Sequence, residues 1–433
     1  MNRVFMVAAR RTGISPKGGA LAGTPFHSLA AAAAHAVMAD AKVAAEKIDG
    51  LFLGNALAAG GNAARVAALA SGLPHRAPAW SIDTQCCSGL DAIAMAVDRI
   101  RAGNAHVLLA GGAESASQAP QRGKRTHGEA GPSRETGRDF QTVEAASATA
   151  VPGDFSWAPY DEADFTPWPD QEPSMVQAAR ALSDQLGDLN AEYAWVVRSH
   201  ERARNASHPE RIAGHAAADQ ASQAVPKATQ DTYTRALTAQ ACQRAASHPI
   251  HNPTTMAPLA DGAAMVLLMS EQALKEWLEG GERDGLSSTD NFDSGLGGKH
   301  KAASANRRSL AVCEVISCCQ VGADPFAPGL STAALRNWLD RLRADHGEPA
   351  RVELMESFAA QALMNIKALA LDPDRVNVEG GLLAMGHPIG ASGTVLVARL
   401  HHRLSPGEWG VALIPAAGGL ASGLALFFGG VDG

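Results

Sequence analysis

Apolar and polar positions change period repeatedly along the chain. VFMVAA (4–9), LFLGN (51–55), AWSID (79–83) and HVLLAGG (106–112) are short apolar runs of strand type. Between them, 27–42 (Ala-rich), 62–71 and 87–102 have helical spacing. The C-terminal part repeats the alternation, with SLAVCEVISC (309–318), a helix over 331–344, RVELM (351–355), a helix over 357–370, VNVEGG (376–381), a helix over 390–403 and GVALIP (410–415). This order predicts an α/β protein with helices packed on a mixed sheet. In each part a reactive-looking residue precedes a small-residue helix start and then a strand ending in glycines. Cys86-Cys87-Ser88-Gly89 stands before HVLLAGG, and His387-Pro388-Ile389-Gly390 before GVALIPAAGG. Two related halves would bring both helix starts to one pseudo-twofold axis.

Residues 118–247 break this rhythm. They are rich in Ser, Pro, Asp, His and Trp, with helical stretches near 175–187 and 190–205, and read as an inserted lid or loop domain. A second polar stretch, 279–308, reads as a long exposed loop.

Composition narrows the class. A chain of 433 residues with 46% hydrophobic and 19% charged residues is expected to form more than one core and to be soluble. Its apolar runs are too short to span a membrane. The opening MNRVFMVAARRTG lacks the apolar core and cleavage site of a secretory signal, so the expected location is the cytoplasm. A net charge of -7 argues against a general nucleic-acid binder. The six cysteines, at 86, 87, 242, 313, 318 and 319, lack CxxC spacing, so reduced thiols and no metal are expected. Adjacent cysteines rarely bridge each other, because that geometry strains the intervening peptide.

Cys86 falls between a strand and a helix start, where unpaired backbone N–H groups face its sulfur. Helix-terminal dipoles and an imidazole can lower a cysteine pKa to ~3.5–7.5, giving the thiolate that attacks a thioester. Taken alone, such a cysteine reads first as a small buried residue in a tight turn, and His387 alone as a helix cap. Their surroundings change both readings. QCCSGLDAIAMAVDRIRAGNAHVLLAGGAES (85–115) closely resembles the nucleophile segment of thiolases, and GGLLAMGHPIGASG (380–393) resembles the segment that supplies their catalytic histidine. Segments 7–29, 54–74, 198–206, 256–271 and 356–361 match the same family in order. PAAGGL (415–420) and APLADGAA lean towards the β-subunit of the fatty-acid trifunctional complex.

The resemblance implies a five-layer αβαβα fold of two similar halves, 1–117 plus 248–275 and 276–433, with 118–247 inserted. It implies that Cys86 takes up the acyl group, that His387 accepts its proton, and that the backbone N–H groups of Cys86 and Ala417 form an oxyanion hole. Coenzyme A and acyl-CoA are then substrates rather than tightly held cofactors. The phosphate contacts of CoA stay unassigned, Arg198 and His200 reading as packing and surface residues. A homodimer or homotetramer is implied, with or without a partner subunit.

Two positions depart from the family. Pro415 replaces the second cysteine, which acts as acid and base in the carbon–carbon step, and proline has no titratable group. Met355 replaces an Asn or His of the Asn-Glu-Ala-Phe loop and cannot donate a hydrogen bond. Ser357 stands in the loop's third slot, where some sterol-carrier-type members place that cysteine. Three readings follow: an acyltransferase with the Claisen step in doubt, an ordinary 3-ketoacyl-CoA thiolase or acetyl-CoA C-acetyltransferase, or a degenerate structural subunit. Retention of both Cys86 and His387 argues against the last.

Overall fold

The computed structural model describes residues 2–58, 60–127, 155–160, 163–168, 171, 173–212, 230–246, 252–284, 312–327 and 329–429. The first part contains β1 (Val4–Arg11), β2 (Ser15–Pro16), α1 (Phe26–Asp40), β3 (Gly50–Gly54), α2 (Ala63–Ala70), β4 (Ala79–Ile82), α3 (Ser88–Arg101) and β5 (Val107–Ser115). The antiparallel pair β6 (Arg122–His127) and β7 (Phe155–Tyr160) follows, with α4 (Met175–Leu186), α5 (Leu189–Asn205) and α6 (Ala239–Ala245). Then come β8 (Ala260–Ser270), α7 (Glu271–Asp284), β9 (Cys313–Gly322), α8 (Arg336–His346), β10 (Arg351–Leu354), α9 (Ala359–Ala368), α10 (Leu382–Met385), α11 (Ser392–Arg403), β11 (Trp409–Pro415) and β12 (Leu420–Phe427). Much of the 118–247 insertion, and 285–308 of the second polar stretch, lie outside the described residues.

The same strand order occurs twice. In one part β3, β5, β8 and β1 are neighbours, β3 parallel to β5 and the other pairs antiparallel. In the other, β10, β11, β12 and β9 repeat that order with the same senses. Among the described residues the two sets join into one sheet through two residue pairs, Phe5 with Glu314 and Met6 with Cys313. The strand expected at 376–381 is the counterpart of β4, and the structure corrects it. A single parallel bridge, Val376 to Val352, is all that forms. Asn377 then turns into a positive φ of 46°, and its carboxamide bonds Leu354 N and O, ending the ladder.

Strand periodicity explains the layers. β8 is buried along its whole length, with Ala264, Val266 and Leu268 on one face and Met265, Leu267 and Met269 on the other. The first face joins a cluster containing Leu90, Ile93 and Val97 of α3 and Val395, Leu396 and Leu400 of α11. The second packs under α1 and α2. Val352, Val411 and Leu413 likewise face outward from the second set of strands, towards α8, α9 and α5. Helices α3 and α11 are therefore sandwiched between strands of both sets.

Candidate active site

Cys86 and His387 sit at the starts of these two central helices. A short 3₁₀ turn, Gln85–Cys87, precedes α3, and Gln85 takes a φ of 57°, a conformation costly for a non-glycine residue. His387 is held by its own backbone, its N–H donating to Pro258 O at 2.8 Å and its carbonyl accepting from Ala260 N at 3.2 Å. The segment 256–260, ahead of β8, thus delivers the histidine to the cysteine.

Cys86 Sγ lies 3.1 Å from His387 Nε2, and the two residues are only 9% and 8% exposed. On the far side of the ring, Nδ1 lies 2.7 Å from Ser392 Oγ. That hydroxyl donates to Pro388 O at 3.2 Å, so its lone pair receives the Nδ1 proton. Nε2 is left as a bare acceptor aimed at the thiol.

The expectation of a lowered cysteine pKa is corrected. Burial pushes the Cys86 thiol up to about 12. The backbone N–H groups of Cys86 and Ala417 bond the sulfur and pull the other way, while Glu114 and Asp83 add to the rise. Burial also lowers His387 to about 4. The resting pair is neutral thiol and neutral imidazole, because two dipoles do not offset the lost hydration of a buried thiolate. Such a pair forms thiolate only as the proton crosses to Nε2.

Ala417 follows the end of β11, where Pro415 pairs with Ala421 and Ala416 N donates to Leu420 O at 2.7 Å. Met355 is fully buried in the same apolar cluster as Cys86, its backbone bonded to Leu413 O and Gln361 Nε2. Arg198 bonds Pro373 O and Asp374, and His200 is buried on α5, accepting from Arg235 N at 3.3 Å. All six cysteines are free. Among the described residues no group of three or more His, Cys, Asp or Glu side chains is placed to hold a metal ion.

Two buried carboxylates brace the site. Glu114 accepts from Asn55 Nδ2 (3.0 Å), Leu57 N (3.2 Å), Ala56 N (2.9 Å) and Gly390 N (2.9 Å), tying the turn after β3 to the turn that follows His387. Burial raises its pKa to about 7 against those donors. Glu356 accepts from Trp195 Nε1 (3.0 Å), Asn377 Nδ2 (2.8 Å), Ser199 Oγ (3.0 Å) and Leu383 N (3.2 Å). Neither was singled out from the sequence, although a lone Glu ending an apolar strand, as in GGAES, is the signal that would have found Glu114.

Residues 4–149 match the thiolase N-terminal domain and 310–428 the thiolase C-terminal domain. An acetyl-CoA acetyltransferase of Shinella zoogloeoides is 31% identical over 405 residues, 92% of this chain and 91% of that protein. The chain belongs to the thiolase family. Its reaction class is thiolase-type acyl transfer. An acetyl-CoA acetyltransferase of Pseudomonas aeruginosa is 30% identical over 98% of this chain and 99% of that one. In fold, the chain resembles the Acat5 thiolase of Ascaris suum in complex with coenzyme A, with a TM-score of 0.74, 22% identity and coverage of 98% and 100%. It also resembles human mitochondrial 3-ketoacyl-CoA thiolase in complex with CoA, with a TM-score of 0.72, 24% identity and 98% coverage of each. No described helix is long and apolar enough to cross a membrane.

Proposed function

We propose that this thiolase-family chain takes an acyl group from acyl-CoA onto Cys86 and passes it to an acceptor, with His387 as its single proton carrier. The observation that carries this reading is the 3.1 Å contact between Cys86 Sγ and His387 Nε2. As Sγ attacks the thioester carbonyl, its proton moves to Nε2 and the carbonyl π pair becomes an oxyanion held by the N–H groups of Cys86 and Ala417. Collapse breaks the bond to the CoA sulfur, which leaves with the proton from Nε2. His387 is then neutral again and ready for an acceptor that needs one proton removed.

A thiol acceptor suits such a site, since the second transfer is the first run backwards. Claisen condensation needs more, because an acetyl α-proton is a weak acid and Pro415 supplies no base. Losing a positioned base costs ~100- to 10,000-fold. The names of the relatives favour a second reading, an acetyl-CoA C-acetyltransferase or 3-ketoacyl-CoA thiolase in which His387 alone serves both steps. The proposed setting is the cytoplasm and the proposed assembly a homodimer or homotetramer. The edge of β4, which pairs with no outer strand among the described residues, with Val66, Leu69 and Met95 exposed on α2 and α3, supports pairing of copies, which mass photometry tests.

Intact mass after brief exposure to a panel of acyl-CoAs tests the nucleophile. The expected result is one acyl adduct, absent in Cys86→Ala and slowed in His387→Ala. Release of that adduct by small thiols without formation or cleavage of a 3-ketoacyl-CoA favours the first reading, and CoA-dependent thiolysis the second. No adduct from any donor overturns both and leaves a structural subunit.

A further inference from the structure

Asp91 lies in the first turn of α3 and is only 5% exposed, yet the proton transfer proposed above does not use it. An acidic residue is favoured there by the helix dipole, but that does not explain where its oxygens go. Oδ2 accepts a 2.6 Å hydrogen bond from Thr84 Oγ1, and Oδ1 a 2.6 Å bond from Ser422 Oγ. Thr84 lies two residues before Cys86. Ser422 lies on β12, five residues after Ala417, paired with Ile414 at the end of β11. Cys87 fills the same corner, its thiol donating to Ile414 O at 3.5 Å. A buried carboxylate is costly where an apolar side chain would pack, and this one is bonded by Gln320 of β9 and holds a short, charge-assisted bond to each of two further segments that do not share a strand. Those segments carry the two N–H groups, of Cys86 and of Ala417, proposed above as the oxyanion hole, and both act on the Cys86 thiol against its burial.

We infer that Asp91 is a positioning residue that sets the spacing of these two N–H groups by fastening the nucleophile turn to the β11–β12 turn. Acylation develops negative charge on a carbonyl oxygen and depends on that spacing. Alkylation of the thiol uses the Cys86–His387 contact and meets those N–H groups only as donors to the sulfur, and it develops no oxyanion. The two reactions therefore report separately on the clamp and on the thiol. The assignment rests on the proposal that Cys86 is acylated.

The experiment measures acylation by acyl-CoA and alkylation by iodoacetamide, both by intact mass over time, in wild type, Asp91→Asn and Ser422→Ala. Asp91→Asn is expected to slow acylation about 10- to 100-fold, as misplaced oxyanion donors do, while alkylation stays within about twofold. Ser422→Ala removes one arm of the clamp and is expected to fall in the same direction by a smaller factor. Combining the two is expected to add less than their product, because both act on one contact. Unchanged acylation in either folded variant overturns the assignment, as does an equal fall in both reactions, which marks a general loss of structure. If Asp91→Asn does not fold, Ser422→Ala carries the test with the same criteria. A wild type that alkylates but never acylates sinks the acyl-Cys86 proposal itself, an outcome read from the control.

Discussion

Ser88 and Ser392 open the two central helices, and each is followed by a glycine, but their hydroxyls are committed differently. Ser88 Oγ donates to Gln85 O at 2.5 Å and accepts from Thr84 N at 3.0 Å, so both bonds go into the turn that carries Cys86. Ser392 Oγ donates to Pro388 O and accepts instead from the His387 ring. One helix start shapes backbone around a nucleophile, and the other fixes a tautomer. The repeated strand order supplies two equivalent platforms, and the residues two to five places before each serine decide which half of the chemistry each performs. The comparison also explains why the thiol is not pre-ionised. The Cys86 turn supplies dipoles but no cation, and the His387 turn supplies a base that stays neutral until the reaction begins.

The largest expected effect comes from breaking the division of labour. With the thiol pushed up to about 12, His387→Ala leaves it without a proton acceptor at neutral pH, and acylation is expected to fall ~100- to 10,000-fold. Intact-mass kinetics check this, and raising the pH towards 10 is expected to recover part of the rate by direct ionisation. A variant as fast as wild type at pH 7 would remove the histidine turn from the comparison.

Next in size is the contact between the two helix starts. A Cβ at Gly393 would stand 2.7 Å from Leu90 N and Cβ, and one at Gly89 would stand 2.6 Å from Gly390 O. Because backbone is in the way, Gly393→Ala and Gly89→Ala are each expected to destabilise by about 1–3 kcal/mol, read from denaturant midpoints. Similar losses from the two sides are the signature of a symmetric crossing. A loss on one side alone would show that only one helix is held in place by the other.

What could be read from the sequence was whatever has a local signature. Strands β1, β3, β5, β10 and β11 announced themselves as short apolar runs, and the central helices as small-residue stretches after Cys86 and His387. VNVEGG has the same apolar–polar alternation as a strand, yet Asn377 and its bonds to Leu354 stop it after one bridge, and that depends on a neighbour 23 residues away. Long-range bracing was hidden for the same reason. Glu114 meets Gly390 across 276 residues, and Ser422 meets Asp91 across 331. The sign of the Cys86 shift was misjudged because the sequence displays a helix start but not the depth at which it is buried.

A smaller effect separates the two serines. Ser392→Ala leaves Nδ1 without its acceptor and lets the ring sample the tautomer that presents N–H to the thiol, so acylation is expected to fall about 10-fold with little change in melting temperature. Ser88→Ala instead orphans the Thr84 N–H and is expected to appear as about 1 kcal/mol of lost stability. Thermal melts and intact-mass kinetics on the same samples check both. If the two variants behaved alike, the hydroxyls would be interchangeable caps.

The smallest expected effect is a flat line. A conventional histidine loses activity as pH falls through about 6.5. Here burial lowers His387 to about 4 and raises Cys86 to about 12, so neither changes protonation between pH 5 and 9. A depressed imidazole stays neutral and able to accept a proton until well below pH 5, so the reacting pair contributes no acid limb to acylation in that range. Glu114 does titrate there, at about 7, and becomes protonated on the acid side. One of its oxygens then carries a proton towards the N–H groups of Ala56 and Gly390 or of Leu57 and Asn55, loosening the hold on the His387 turn. Any shallow acid limb near pH 7 is therefore expected to vanish in Glu114→Gln, whose amide does not titrate, at the cost of a uniformly slower enzyme. A limb that persists in Glu114→Gln with a midpoint near 6.5 would instead place an ordinary, solvated imidazole in the reaction, and the burial that distinguishes this histidine turn would not be governing its chemistry.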